Sequence, residues 1–153
     1  MANSPKRLTW DSCAWISYIQ QEKVVLKDGS PEDRGAMCRP VLQAAENGDV
    51  EIVVSSVALV EVICKNILLV SADKDVCDLA RQLMLAGHAG LRPADAIHVA
   101  TACISNADEL HTFDEKLLAL DSKTDRKDGT RLRIRKPRLP APPAPLLEAI
   151  EGA

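Results

Sequence analysis

At 153 residues, of which 46% are hydrophobic and only 3% aromatic, the chain suits a single domain with an aliphatic core that needs no disulfide. A formal net charge of −3 excludes a bulk polyanion binder, so any contact with nucleic acid has to come from a local basic patch. The cysteines at 13, 38, 64, 77 and 103 form no CxxC pair and are odd in number, against a disulfide scaffold or zinc ribbon, and no stretch approaches the roughly 20 apolar residues of a membrane span.

The N-terminus, MANSPKRLTWDS, lacks the apolar segment of a signal peptide, which makes a reducing cytoplasm the simplest compartment. Lys6 to Trp10 reads as a short strand ending at Asp11, and Ser12 is placed to cap a helix through CAWISYIQQ. Residues 23–33 carry Lys-Asp-Gly and Ser-Pro turn signals and are expected to form an exposed loop. Arg34 to Asn47 is expected to be helical and to stop at Gly48. Val50 to Val54 is β-branched and largely apolar, as a buried parallel strand should be. Ser55 or Ser56 then opens a predicted helix over VALVEVICKNILLV, and another is expected over Asp73 to Ala86. Pro93 suits the first position of a helix running to about Asn106. Glu109 to Thr112 is a brief strand, Asp114 starts a short helix over EKLLAL, residues 121–130 form a polar turn, and Arg131 to Arg135 alternates as a last strand. These elements make a domain over 1–136, followed by a proline-rich extension, 137–153, read as an extended arm. Strands separated by helices imply an α/β fold with three layers, α/β/α, around a central parallel sheet of about four to five strands.

The informative signal is where the acids fall. Asp11 is the only acid between Leu8 and Ile19, Glu61 the only charge between Ile52 and Cys64, and Asp95 the only acid between Ala94 and Ala107. These segments are apolar on nearly every face, and an ionised carboxylate there costs several kcal/mol unless it is paired or bound to a metal. In an open parallel sheet, sites form at the carboxyl ends of strands where strand order reverses. Asp11 follows the first strand, Asp114 follows ELHT by one residue, and Glu61 and Asp95 lie near the starts of their predicted helices, so all four can face one rim. Without a cation they would repel one another, and Mg²⁺ or Mn²⁺ resolves this because hard cations prefer carboxylate oxygens. Such a centre fits phosphodiester hydrolysis and needs no His, Cys or Ser nucleophile.

The segments LTWDSCAWISYI, VSSVALVEVICK and GLRPADAIHVATACISNADELHTFDEKLLAL resemble PIN-domain ribonucleases, including the VapC-like toxins of toxin–antitoxin modules. The resemblance spans roughly residues 6–135 and places Asp11, Glu61, Asp95 and Asp114 at the family's acidic-quartet positions. It implies a Mg²⁺/Mn²⁺-dependent endoribonuclease acting on RNA, an antitoxin protein as partner, and a homodimer. It also implies that Thr112 is a hydroxyl residue close to the metal. Arg92, beside Asp95, is the candidate for touching substrate. The sequence departs from the family at Cys13, where Ser or Asn is usual, and in the proline-rich tail.

Each acid also has a plainer reading. Glu61 can pair with Lys65, Asp95 can be a first-turn acid favoured by the helix dipole, Asp11 can simply end a strand, and Asp114 can be an N-cap. His98, one turn after Asp95, reads either as an acid–base group or as a hydrogen-bonded, half-buried histidine. The run RLRIRKPR reads either as a track for RNA phosphates or as an edge strand defended by charge. Two other functions compete: a phosphatase of the haloacid dehalogenase type, which would want an acid where Cys13 stands, and a PIN-like binding module whose catalysis has decayed.

Overall fold

The computed structural model describes residues 5–56, 67–86 and 90–139, and of 67–69 the backbone only. In chain order its elements are β1 (Lys6–Trp10), α1 (Ser12–Ile19), β2 (Lys23–Val25), β3 (Pro31–Asp33), α2 (Arg34–Asn47), β4 (Val50–Ser55), β5 (Ile67–Val70), α3 (Lys74–Leu85), α4 (Pro93–Ile104), β6 (Glu109–His111), α5 (Glu115–Leu118) and β7 (Arg133–Arg135). Five strands form one sheet in the order β5-β4-β1-β6-β7, every pair parallel. Alternation along the strands assigns the two faces. Leu8, Trp10, Ile52 and Val54 pack with residues of α1 and α2, whereas Leu110 and Ile134 pack with α3 and α4. The result is the expected three-layer α/β/α arrangement. Its largest buried side chains are two tryptophans, Trp10 and Trp15, with ring centroids 4.8 Å apart and planes tilted by 57°. Such a pair adds about 1 kcal/mol beyond the area it buries.

The chain leaves β1 for β4 and β5 on one side, then returns through α3 and α4 to β6 on the other. Strand order therefore reverses between β1 and β6, and their carboxyl ends border the crevice in which open α/β sheets place their sites.

Several expectations need correction. Asp11, not Ser12, caps α1: its backbone is extended and its Oδ1 accepts the Ala14 amide at 2.9 Å. A carboxylate aimed at free amides satisfies the helix start better than a hydroxyl one residue inside it. Residues 23–33 are not a plain loop, because β2 and β3 pair antiparallel across the turn at Gly29. The helix predicted to run to Val70 does not do so. Ile67–Val70 is a strand paired with β4, as a short, wholly apolar run bounded by polar residues allows. Residues 57–66, with Glu61, Cys64 and Lys65, lie outside the described residues, as do His88 and the tail from 140. Asp73 is the cap of α3 rather than its first residue, and the last strand is shorter than expected, with Arg131 in an isolated bridge to Asp125.

Candidate active site

Asp11 leaves the end of β1 and is only 2% exposed. Its amide donates to the His111 carbonyl of β6 at 3.3 Å, which fixes it across the switch point. Its Oδ2 accepts the hydroxyl of Thr112. The same Thr112 oxygen accepts the Asp114 amide at 2.9 Å, and the Thr112 amide donates to the Arg135 carbonyl at 2.9 Å. One buried threonine thus fastens two acids and two strands. Asp114 caps α5, its Oδ1 taking the Lys116 amide at 2.7 Å. Asp95 sits in the first turn of α4, and its Oδ2 accepts the Arg92 amide at 3.3 Å. The plain capping readings of these acids are therefore correct as geometry, and they coexist with a shared location.

That location has an electrostatic signature. Burial pushes the Asp11 carboxyl up to about 6; the Thr112 hydroxyl and the Ala14 amide counter this, and the charges of Asp114 and Asp95 push it further. The Cys13 thiol is pushed up to about 11, first by desolvation and then by Asp11, Asp114 and Asp95, with Arg34 opposing. Asp11, Asp95 and Asp114 are thus near enough to act on the same atoms, and Cys13 stays a protonated thiol, neither a nucleophile nor the second acid of a dehalogenase-type phosphatase.

His98 is more deeply buried than expected, at 2% exposure, with Nε2 3.2 Å from the Ser12 hydroxyl. Its Nδ1 has no hydrogen-bond partner among the described residues. Burial holds it below the ordinary histidine range against the pull of Asp95. It is a neutral imidazole under the rim, braced on the residue after Asp11.

His111 carries no motif that would single it out in the sequence. It is fully buried, takes the Trp10 indole N–H on Nδ1 at 3.2 Å, and places Nε2 3.2 Å from Glu109. An indole can only donate, so Nδ1 carries no proton and the Nε2–H points at the carboxylate. Glu109 in turn receives Arg135 at 3.6 Å and Arg138 at 3.4 Å. The basic run is consumed in this way along its length. Arg131 pairs with Asp125, Arg133 with Asp121, and Lys136 with Glu32. It is an edge strand neutralised by its neighbours. Arg92 differs, being exposed and without an ion pair among the described residues.

The donor types suit a hard divalent cation: carboxylate oxygens, those of Asp11 buried, and among the described residues no cation is bonded to Asp11. Among the described residues no group of three or more His, Cys, Asp or Glu side chains is arranged to hold a metal ion. Glu61 lies outside the described residues, and an ion that keeps several waters needs few protein ligands.

The family model described as the PIN domain matches residues 11–123. No curated protein matches the chain. Among solved structures, the toxin VapC20 of Mycobacterium tuberculosis, described as cleaving the sarcin–ricin loop, aligns at a TM-score of 0.50 over 71% of this chain and 90% of its own, with 10% sequence identity, a likeness of fold.

Proposed function

The chain belongs to the PIN-domain family, and from that premise we propose that it is a metal-dependent endoribonuclease whose Asp11, Asp95 and Asp114, joined by Glu61, hold Mg²⁺ or Mn²⁺. The observation that carries this reading is the buried Asp11 carboxylate, set at the reversal of strand order with two further acids bearing on it and, among the described residues, no basic partner bonded to it. When bound, the ion supplies Lewis-acid polarisation of a phosphoryl oxygen and a more acidic water. The protein's own part is positioning. Thr112 holds Oδ2 of Asp11 while anchoring the backbone of Asp114, so the two acids share one rigid fastening. Ser12, braced by His98, lines the same rim.

RNA as substrate is supported by the fold shared with a toxin described as cleaving the sarcin–ricin loop, and a toxin role with a small antitoxin reaching into the acidic cleft is the reading that the sequence resemblance suggests. The test is cleavage of RNA in Mn²⁺ by the parent chain and by Asp11→Asn and Asp95→Asn. Outer partners of metal ligands are worth about 10- to 100-fold, so loss of a ligand is expected to lower the rate on the order of 100-fold or more. Cleavage that survives both substitutions defeats the proposal. A parent that cleaves no RNA points instead to a binding module.

A further inference from the structure

Building on the nuclease reading, we propose that Arg92 and Lys116 form a contiguous cationic edge of the acid cleft that grips RNA backbone phosphates beside the one being cut. An acidic chain that handles a polyanion with carboxylates needs positive charge next to them, and most of its cations are already committed. Arg7, Arg34 and Arg126 are paired with Glu51, with Glu22 and Glu32, and with Asp108 and Asp128. The strand and tail cations from Arg131 to Arg138 are neutralised as described, and Lys27 faces Glu115 at 3.5 Å. Arg92 and Lys116 are both exposed, and neither makes an ion pair among the described residues.

Their backbones tie them to the acids. The Arg92 amide donates to Asp95, and the Lys116 amide donates to Asp114 at 2.7 Å. The Lys116 side chain also reaches the segment that leads into Arg92. The Lys116 ammonium lies 3.7 Å from where a side-chain carbon on Gly90, two residues before Arg92, would stand. A guanidinium fork and an ammonium point charge on one edge suit two successive phosphates, and neither reads a base. The edge therefore supplies affinity and register along the strand, not sequence preference.

Fluorescence anisotropy of a labelled single-stranded oligoribonucleotide tests this with the full chain in EDTA, where no cleavage intrudes. Salt is varied from about 50 to about 200 mM, and Arg92→Gln and Lys116→Gln are compared with Arg133→Gln and Lys127→Gln. Each rim substitution is expected to weaken binding about 3- to 10-fold and to lower the slope of log affinity against log salt by about 0.7, the value for one phosphate contact on a single strand. The two control variants should match the parent. Rim variants that bind like the parent, controls that fall equally, or a parent that binds no RNA would each overturn the proposal. A parent that cleaves while Lys116→Gln binds unchanged sinks the cationic edge alone. A parent that binds through this edge without cleaving sinks the nuclease reading alone.

Discussion

Both oxygens of Asp11 are engaged by neutral donors, the Ala14 amide and the Thr112 hydroxyl, and the charges of Asp114 and Asp95 oppose its ionisation. In the metal-free protein this has a definite sign. The folded chain holds the Asp11 proton up to about pH 6, whereas an ordinary aspartate releases it near 3.8. The native state binds more protons across that window, so stability falls as pH rises through it, and the full cost of burying the anion is present above it. Asp11→Asn removes that charge. In EDTA it should be more stable than the parent at pH 7.5, by up to about 3 kcal/mol, and nearly equal at pH 4. Urea unfolding at the two pH values measures this, and a variant weaker at both would contradict it. Thr112 makes a second residue-level prediction. Thr112→Val keeps the shape but strips the donor from Asp11 and the acceptor from the Asp114 amide. Cleavage and Mn²⁺ affinity should fall about 10- to 100-fold, with a stability loss of about 1–3 kcal/mol. A stability loss with both functions untouched would show that this fastening is structural only.

Among the elements, β1 and β6 carry the site, and their junction depends on Trp10, His111 and Glu109. His111→Ala would leave the Trp10 N–H without its acceptor and open a cavity beside a fully buried indole. The expected cost is about 2–4 kcal/mol, read from the urea midpoint; a change below about 0.5 kcal/mol, ordinary for a surface site, would refute the packing role. Burial holds His111 below the usual histidine range, so its contribution is whole above pH 6.5 and is lost as pH falls toward the folded value. This triad was not legible in the sequence, because it depends on Trp10 standing opposite His111 in a register that only the topology sets. Other elements were legible for local reasons. Arg34–Asn47 ends at a left-handed Gly48, and Pro93 opens α4 as its fixed backbone angle favours. The β2–β3 hairpin was not, since Glu32 and Asp33 give a strand no apolar alternation, and β5 was absorbed into a neighbouring apolar run.

At the scale of the whole molecule, sheet order turns separated residues into one place. Asp11 and Asp114 come to one edge because β1 and β6 are neighbours, and α4, packed on both strands, brings Asp95 near enough for its charge to bear on Asp11. In the sequence the acids stood out by their isolation within apolar segments, a signal of cost that survives without knowledge of the fold. The paired state of the basic run was invisible there, because Glu109 and Glu32 come to it from other strands and Asp121 and Asp125 reach it only when the turn before it folds back. Under the proposed function these acids are tolerated together by bound divalent metal. Calorimetric titration of Mn²⁺ at pH 7.5 into the parent and into Asp11→Asn, Asp95→Asn and Asp114→Asn tests this most directly. The account predicts saturable binding by the parent, weakened at least about 10-fold in each variant and weaker for the parent itself at pH 5, where protons compete for Asp11. A parent that binds no Mn²⁺, or three variants that bind it like the parent, would contradict it.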